Sequence, residues 1–377
     1  MADSEFGPIA LCDVMEDEGE KMFRIIEVDQ AQTWDNIVST FPQADVFYLN
    51  QYARACQLRG EGEPFLFYYE DSKTRGINVV MRRDISDIPH FSELIPAKTY
   101  YDLSSPYGYG GFIFEGEDPK RVYHAFDEYC IEQGYISDFV RFNLFGGALK
   151  HYSGVIVQRG SNVVRSLDES LSEIEADFDR KVRKNLRKAR NVGLEIEIDM
   201  TGTQRMGEFL RIYYSTMARA GAHYRYYFPE DYFREINKMM GHFAYFHVLY
   251  EGKVISTELV LYGSDSCYSF LGGTDADYFD LRPNDFLKYA VIEWAKEAGL
   301  KRYILGGGFK GEDGIFRFKK CFSPTGIVPF FTGHQVFRKE EYDMLLALRG
   351  GIPGHAQADD YFPAYRRLLY DKGITTV

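Results

Sequence analysis

Long apolar runs are scarce in these 377 residues: none approaches the roughly 20 residues that a membrane-spanning helix needs, so no transmembrane segment is expected. Cysteine is sparse as well. Cys12, Cys56, Cys130, Cys267 and Cys321 are scattered, odd in number and free of CxxC spacing, which argues against a disulfide framework or a thiolate zinc site and fits reduced, buried thiols. No basic leader followed by an apolar stretch opens the chain, so a signal peptide is not read and a cytoplasmic location is expected. Positive charge is also short, with a net charge of -12, and no DNA partner is expected. The deficit is uneven, however. Asp3, Glu5, Asp13, Glu16, Asp17, Glu18 and Glu20 precede the first base, so residues 1–20 of the acidic tail 1–21 carry seven of the twelve net negative charges and a local basic stripe remains compatible with the rest.

Aromatic residues are abundant, at 16% with 29 Tyr and 30 Phe, within a hydrophobic fraction of 45% and a charged fraction of 27%. That composition is the one of an ordinary globular protein, and the length favours two domains. Alternating and helical patterns predict, after the tail, an edge strand over 23–28, a helix over 31–41, a strand pair over 64–70 and 76–82, a helix over 118–133, and strands over 139–144 and 155–159. A second run of elements starts near residue 165: helices over 168–191, 202–220 and 230–240, then strands over 244–250, 253–262 and 267–272. It closes with a helix over 285–298, started by Pro283 and Asn284 and stopped by Gly299, and a strand over 303–305. Both runs predict an α+β fold with mixed sheets, divided as a first unit over 22–164 and a second over 165–377.

Chemistry is expected near the C-terminal end of that second run. Three glycines, Gly306 to Gly308, follow the last strand and let a ligand lie directly against backbone; the cationic aromatic segment FRFKKCF comes next, with Phe318 and Lys319 at its centre. A Lys beside an acyl carbonyl can stabilise the oxyanion formed when an amine attacks. On the strand KVISTELVLYG, Glu258 shares a face with Val254, Ser256, Val260 and Tyr262 by the period of two. A carboxylate so placed has a raised pKa unless it is paired, which suits a general base; a structural salt bridge is the alternative. Seven bases and no acid occupy 180–190, with Arg180, Arg183, Arg187 and Arg190 on one helical stripe and Lys184 beside it. Such a stripe suits phosphate oxygens, or else it is a solvated face partly neutralised by Glu173, Glu175, Asp177 and Asp179. Tyr226 in HYRYYFPEDYF, Tyr268 and Phe270 on the strand after Glu258, Gly307, and Tyr107 in PYGYGG complete the candidate substrate contacts, each with a packing role as the alternative. No Ser-His-Asp or Cys-His set is evident, so direct transfer without a covalent enzyme intermediate is expected. No metal site is read.

These features, in their order, resemble the FemABX-like transferases of the broader GNAT acyltransferases. The likeness rests on DFDRKVRKNLRKARNVGLEIEI, the strand pair KVISTELVLYG and CYSFLGGT, the helix FLKYAVIEWAKEAGL and the closing GIFRFKKCF, and spans roughly 165–325. It implies two tandem GNAT-like domains, a Phe-Lys pair at Phe318 and Lys319 lying against the reactive end of the acyl donor, and a basic region that helps bind the phosphates of a nucleotide-linked acceptor or of RNA. The reaction it implies forms an amide, with aminoacyl-tRNA as donor and a cell-wall (peptidoglycan) precursor or another amino-bearing metabolite as acceptor. An acyl-CoA-dependent N-acyltransferase acting on an amino sugar is the rival, although Arg190-Asn191-Val192-Gly193 only begins the usual acyl-CoA signature; an RNA-binding protein that has lost the reaction is the other. Co-substrates, aminoacyl-tRNA or acyl-CoA, are expected in place of a tightly bound cofactor.

Overall fold

A computed structural model of the chain describes residues 22–308, 311–350 and 361–367; the acidic tail and Cys12 lie outside them. One order of elements occurs twice. The first pass runs β1 (Met22–Glu27), α1 (Ala31–Ser39), α2 (Asn50–Leu58), β2 (Glu63–Glu70), β3 (Thr74–Asp84), β4 (Tyr101–Ser104), the side strand β5 (Ile113–Gly116), α3 (Pro119–Glu132), β6 (Ser137–Arg141) and β7 (Val155–Ser166). After α4 (Leu171–Asp177) and α5 (Arg180–Val192), the second runs β8 (Glu195–Asp199), α6 (Met206–Arg219), α7 (Glu230–Ile236), β9 (Phe243–Tyr250), β10 (Lys253–Tyr262), β11 (Ser266–Thr274), α8 (Pro283–Glu297), β12 (Arg302–Gly306), α9 (Gly314–Lys320), β13 (Ile327–Val336) and α10 (Lys339–Leu348). The pairing repeats too: β1–β2–β3–β4 and β8–β9–β10–β11 are antiparallel, while β4–β6 and β11–β12 are the parallel pairs. This is the expected α+β fold with mixed strands in two tandem units.

The final strands are exchanged. β7, which follows the first unit, pairs with β12 of the second, and β13, which follows the second, lies between β6 and β7. The thirteen strands found among the described residues therefore join in one sheet, ordered β1-β2-β3-β4-β6-β13-β7-β12-β11-β10-β9-β8 with β5 on β3. The division drawn from the sequence between 164 and 165 falls inside β7. Periodicity reports the face a strand buries, not its partner, so the exchange leaves no trace in the pattern.

The helix expected over 168–191 is two helices. Ser170 closes a capping box with Glu173 at the start of α4, Phe178 turns extended, and the Asp179 side chain accepts the Lys181 amide to start α5 afresh. Gly193, with φ 79°, ends it. α8 begins as expected at Pro283.

Helices cover both faces. Over one face, α1 and α2 of the first unit and α6 and α7 of the second share a single apolar cluster that includes Trp34, Tyr52, Phe209, Phe233, Tyr268 and Ile304. On the other, α3 buries Phe65, Phe67 and Phe126, while α4, α5, α8 and α9 enclose Leu186, Val260, Leu287, Tyr303 and Phe322. Because one core runs beneath both units, the two are fused by the same burial that folds each. Four of the five cysteines are described, and all are free thiols, with Cys56, Cys130 and Cys267 buried.

Candidate active site

β11 and β12 pair only from Ser266 with Arg302 to Tyr268 with Ile304. Past that point β11 runs on to Thr274 and β12 stops at Gly306, so the sheet opens between them. A bulge enlarges the opening: Leu259 faces Leu271 and Val260 faces Ser269, which leaves Phe270 without an opposite residue on β10. Such an extra residue re-aims its neighbours, and Tyr268, Ser269 and Phe270 all line the cavity formed there.

The cavity holds about 350 Å³ and draws walls from both units. The first unit supplies Phe47, Tyr107, Gly108, Tyr109 and Arg141. β7 and β13 supply Arg159, Gly160, Ser161, Asn162 and Phe330; the second unit adds Tyr268, Ser269, Phe270, Ile304, Gly306, Gly307, Gly308, Gly311 and Lys319. Arg141, Arg159 and Lys319 are its cations, and no carboxylate belongs to the wall among the described residues. Aromatic edges frame it, with Phe47 5.4 Å from Tyr109 and 4.8 Å from Tyr268, and Tyr107 5.4 Å from Phe228.

Lys319 comes from α9, which starts where Asp313 accepts the Phe316 amide at 2.9 Å. Its Nζ donates to the Gly307 carbonyl at 2.8 Å. Burial, with the nearby Lys288 charge, lowers its pKa to about 8 against the opposing pull of Glu258 and Asp313. Close approach fixes two of the glycines here: a Cβ on Gly306, whose φ is 82°, would lie 3.2 Å from Lys319 Nζ, and one on Gly308 would lie 2.5 Å from Asp313 Oδ1.

Of the residues singled out in the sequence, Lys319, Tyr268, Phe270, Gly307 and Tyr107 meet in this cavity. Glu258 is not in its wall. It forms a buried ion pair, with Oε1 2.6 Å from Lys288 Nζ, and also accepts the Tyr303 hydroxyl at 3.1 Å. A register shift between Val254 and Ser256 breaks the expected common face, and Val254 packs with Ile212 and Leu249 instead. Phe318 turns away from the cavity and packs edge-on against Phe322 at 5.3 Å. Tyr226 is likewise outside, its carbonyl taking the Tyr213 hydroxyl. Arg180, Arg183, Lys184 and Arg187 line no part of the cavity; α5 packs on α8, where Asn185 donates to Asp285 at 3.1 Å. On that helix Arg190 pairs with Glu175 and lies over Tyr289, whereas Arg180, Lys184 and Arg187 are exposed. Sequence reasoning passed over Arg141 at the end of β6, Arg159, Asn162 and Phe330 on the exchanged strands, and Ser269 just beyond the last β11–β12 pair.

The likenesses agree with this geometry. Residues 176–320, from the end of α4 to the end of α9, match the acetyltransferase (GNAT) domain family. Among solved structures, FemX superposes with a TM-score of 0.62 at 16% identity, over 86% of this chain and 99% of that one. L-PGS from Bacillus licheniformis gives 0.53 at 14% identity, over 89% and 98%; a conserved protein of unknown function from Bacteroides thetaiotaomicron gives 0.53 at 12%, over 83% and 99%. None of the curated protein sequences matches. Residues 176–320 thus carry a domain of the acetyltransferase (GNAT) family, and acyl transfer is the chemistry that domain supports. The fold around that domain is similar to that of FemX.

Proposed function

We infer that the chain moves an aminoacyl group from aminoacyl-tRNA to the amine of a peptidoglycan precursor or a comparable amino-bearing metabolite, in the cytoplasm and without a covalent enzyme intermediate. The observation that carries this reading is the charge of the cavity, with Arg141, Arg159 and Lys319 in its wall and no carboxylate beside them among the described residues. Guanidinium groups suit the carboxylates or phosphates of a nucleotide-linked acceptor. Lys319 is placed to donate to an oxyanion forming at the mouth of the sheet, where burial makes such a donor count for more than it would in water. Outside, the exposed bases of α5 suit the backbone of an RNA donor.

The rival donor, acyl-CoA, is disfavoured by the incomplete acyl-CoA signature, which Arg190-Asn191-Val192-Gly193 only begins.

The test is a labelled transfer. Bulk tRNA charged with radioactive amino acids is mixed with the protein and UDP-linked peptidoglycan precursors; label should pass into an alkali-stable amide on the small molecule. Thiol release from acetyl-CoA in the presence of an amino sugar, with no movement of label from tRNA, would establish the rival instead.

A further inference from the structure

We propose that Ser269 is a catalytic hydrogen-bond donor to the acyl oxygen in the cavity, held for that task by the buried Lys288–Glu258 pair, which acts as a positioning device. The proposal rests on the acyl-transfer chemistry of the cavity and not on which donor is used.

Lys288 projects from the middle of α8 towards the back of the gap between β11 and β12, and is 7% exposed. Its ammonium group reaches three oxygens: Glu258 Oε1 at 2.6 Å, Ser269 Oγ at 2.7 Å and Tyr303 Oη at 3.4 Å. An ammonium has three protons and no lone pair, so Ser269 must accept from it. The Ser269 proton is then left for another acceptor. Tyr303 spends its own proton on Glu258 and can accept the Ser269 hydroxyl; a carbonyl oxygen lodged in the cavity is the alternative, since Ser269 is the one member of this cluster in the cavity wall. Polarisation by the neighbouring cation makes Ser269 a better donor than an ordinary hydroxyl. Its Oγ forms no bond to the acyl carbon and keeps its proton throughout.

Stability does not explain the cluster. A buried ion pair replaced by apolar groups of similar volume is often neutral or better, and this one leaves Glu258 Oε2 buried without a hydrogen-bond partner. Position points the same way, because Ser269, opposite Val260 on β10, is the first residue of β11 beyond its last pair with β12, where a side chain on the α8 face also borders the opening.

p-Nitrophenyl acetate as acyl donor and hydroxylamine as amine give a probe free of any assumption about tRNA or CoA. Removing one preorganised donor lowers kcat about 10²-fold, so Ser269→Ala and Ser269→Cys should each slow p-nitrophenol release to that extent with KM little changed, while Ser269→Thr should retain most of the rate. Lys288→Met combined with Glu258→Leu removes both charges together and should fold, lose at least about tenfold in kcat, and make a further Ser269→Ala nearly silent, as expected for residues acting as one unit. Equal rates for wild type and Ser269→Ala, at whatever level, overturn the proposal, as does a charge-free double variant with full activity. Loss in Ser269→Ala alongside failure to use aminoacyl-tRNA would leave this inference standing and remove only the donor assignment.

Discussion

Tyr268 of the second unit donates its phenolic proton to Asp45 of the first across 2.5 Å. The other oxygen of Asp45 accepts the Val46 amide at 2.7 Å, and the Tyr268 ring lies edge-on to Phe47 and tilted on Tyr109. One carboxylate thus ties β11 to the loop between α1 and α2 at the cavity wall. Burial raises its pKa, and the hydrogen bonds from Tyr268 and the Val46 amide work against that rise.

Removing that phenol should be costly. Tyr268→Phe keeps the ring contacts and leaves a buried carboxylate short of a donor, a loss of about 1–3 kcal/mol. Urea unfolding should show a lower midpoint, and Asp45→Asn in the same background should recover part of the loss. A double variant less stable than the sum of the two single effects would disprove the coupling.

Lys319 makes a pH prediction with a fixed sign. Its pKa falls from 10.5 to about 8 on folding, so the unfolded chain binds the proton more tightly; the cost to the folded state is complete below pH 8 and is relieved between pH 8 and 10.5. Lys319→Met should therefore be more stable than wild type at pH 7, by roughly 1–3 kcal/mol once the lost bond to Gly307 is set against the gain. The gap should narrow as pH approaches 10.5. Activity moves oppositely, because the oxyanion role needs the ammonium form: kcat/KM should decline as pH rises through about 8, and Lys319→Met should lose about 10²–10³-fold in kcat. A kcat/KM that rises through that pH would make Lys319 a base instead.

Gly306 couples backbone conformation to the same amine. Alanine there must hold φ near 82° with its Cβ 3.2 Å from Lys319 Nζ, at a cost of about 1–3 kcal/mol. Gly306→Ala should lower both melting temperature and kcat, whereas Gly299→Ala, also at positive φ but with open space around its Cβ, should lower the melting temperature alone.

Local chemistry carried much of this molecule. Pro283 starting α8, the strands β9 to β12, and the glycine loop leading to Lys319 were legible because each depends on neighbours in sequence. What escaped depends on distant pairing. Glu258 read as a lone carboxylate on an apolar face because its partner Lys288 stands thirty residues on, in another element. Arg159 gave no signal, since it lies on β7, whose pairing with β13 and β12 is not written in its pattern, and Arg141 gave none because it ends β6 beside β13, which comes from far along the chain. Phe318 and Lys319 are adjacent, and a seven-residue helix, α9, was needed to turn one into the core and the other into the cavity.

α5 separates donor binding from catalysis. Arg180, Lys184 and Arg187 are exposed and outside the cavity, so replacing all three with Ala should leave folding and the turnover of a small ester unchanged. If they neutralise phosphates of tRNA, KM for aminoacyl-tRNA should rise while kcat holds. The slope of log affinity against log salt should also flatten by about 0.7–0.9 for each phosphate that the variant no longer neutralises. Filter-binding with charged tRNA across a salt series measures that slope directly. An unaltered slope would make α5 a solvated face, its charges meeting only water, and would leave RNA to be bound elsewhere.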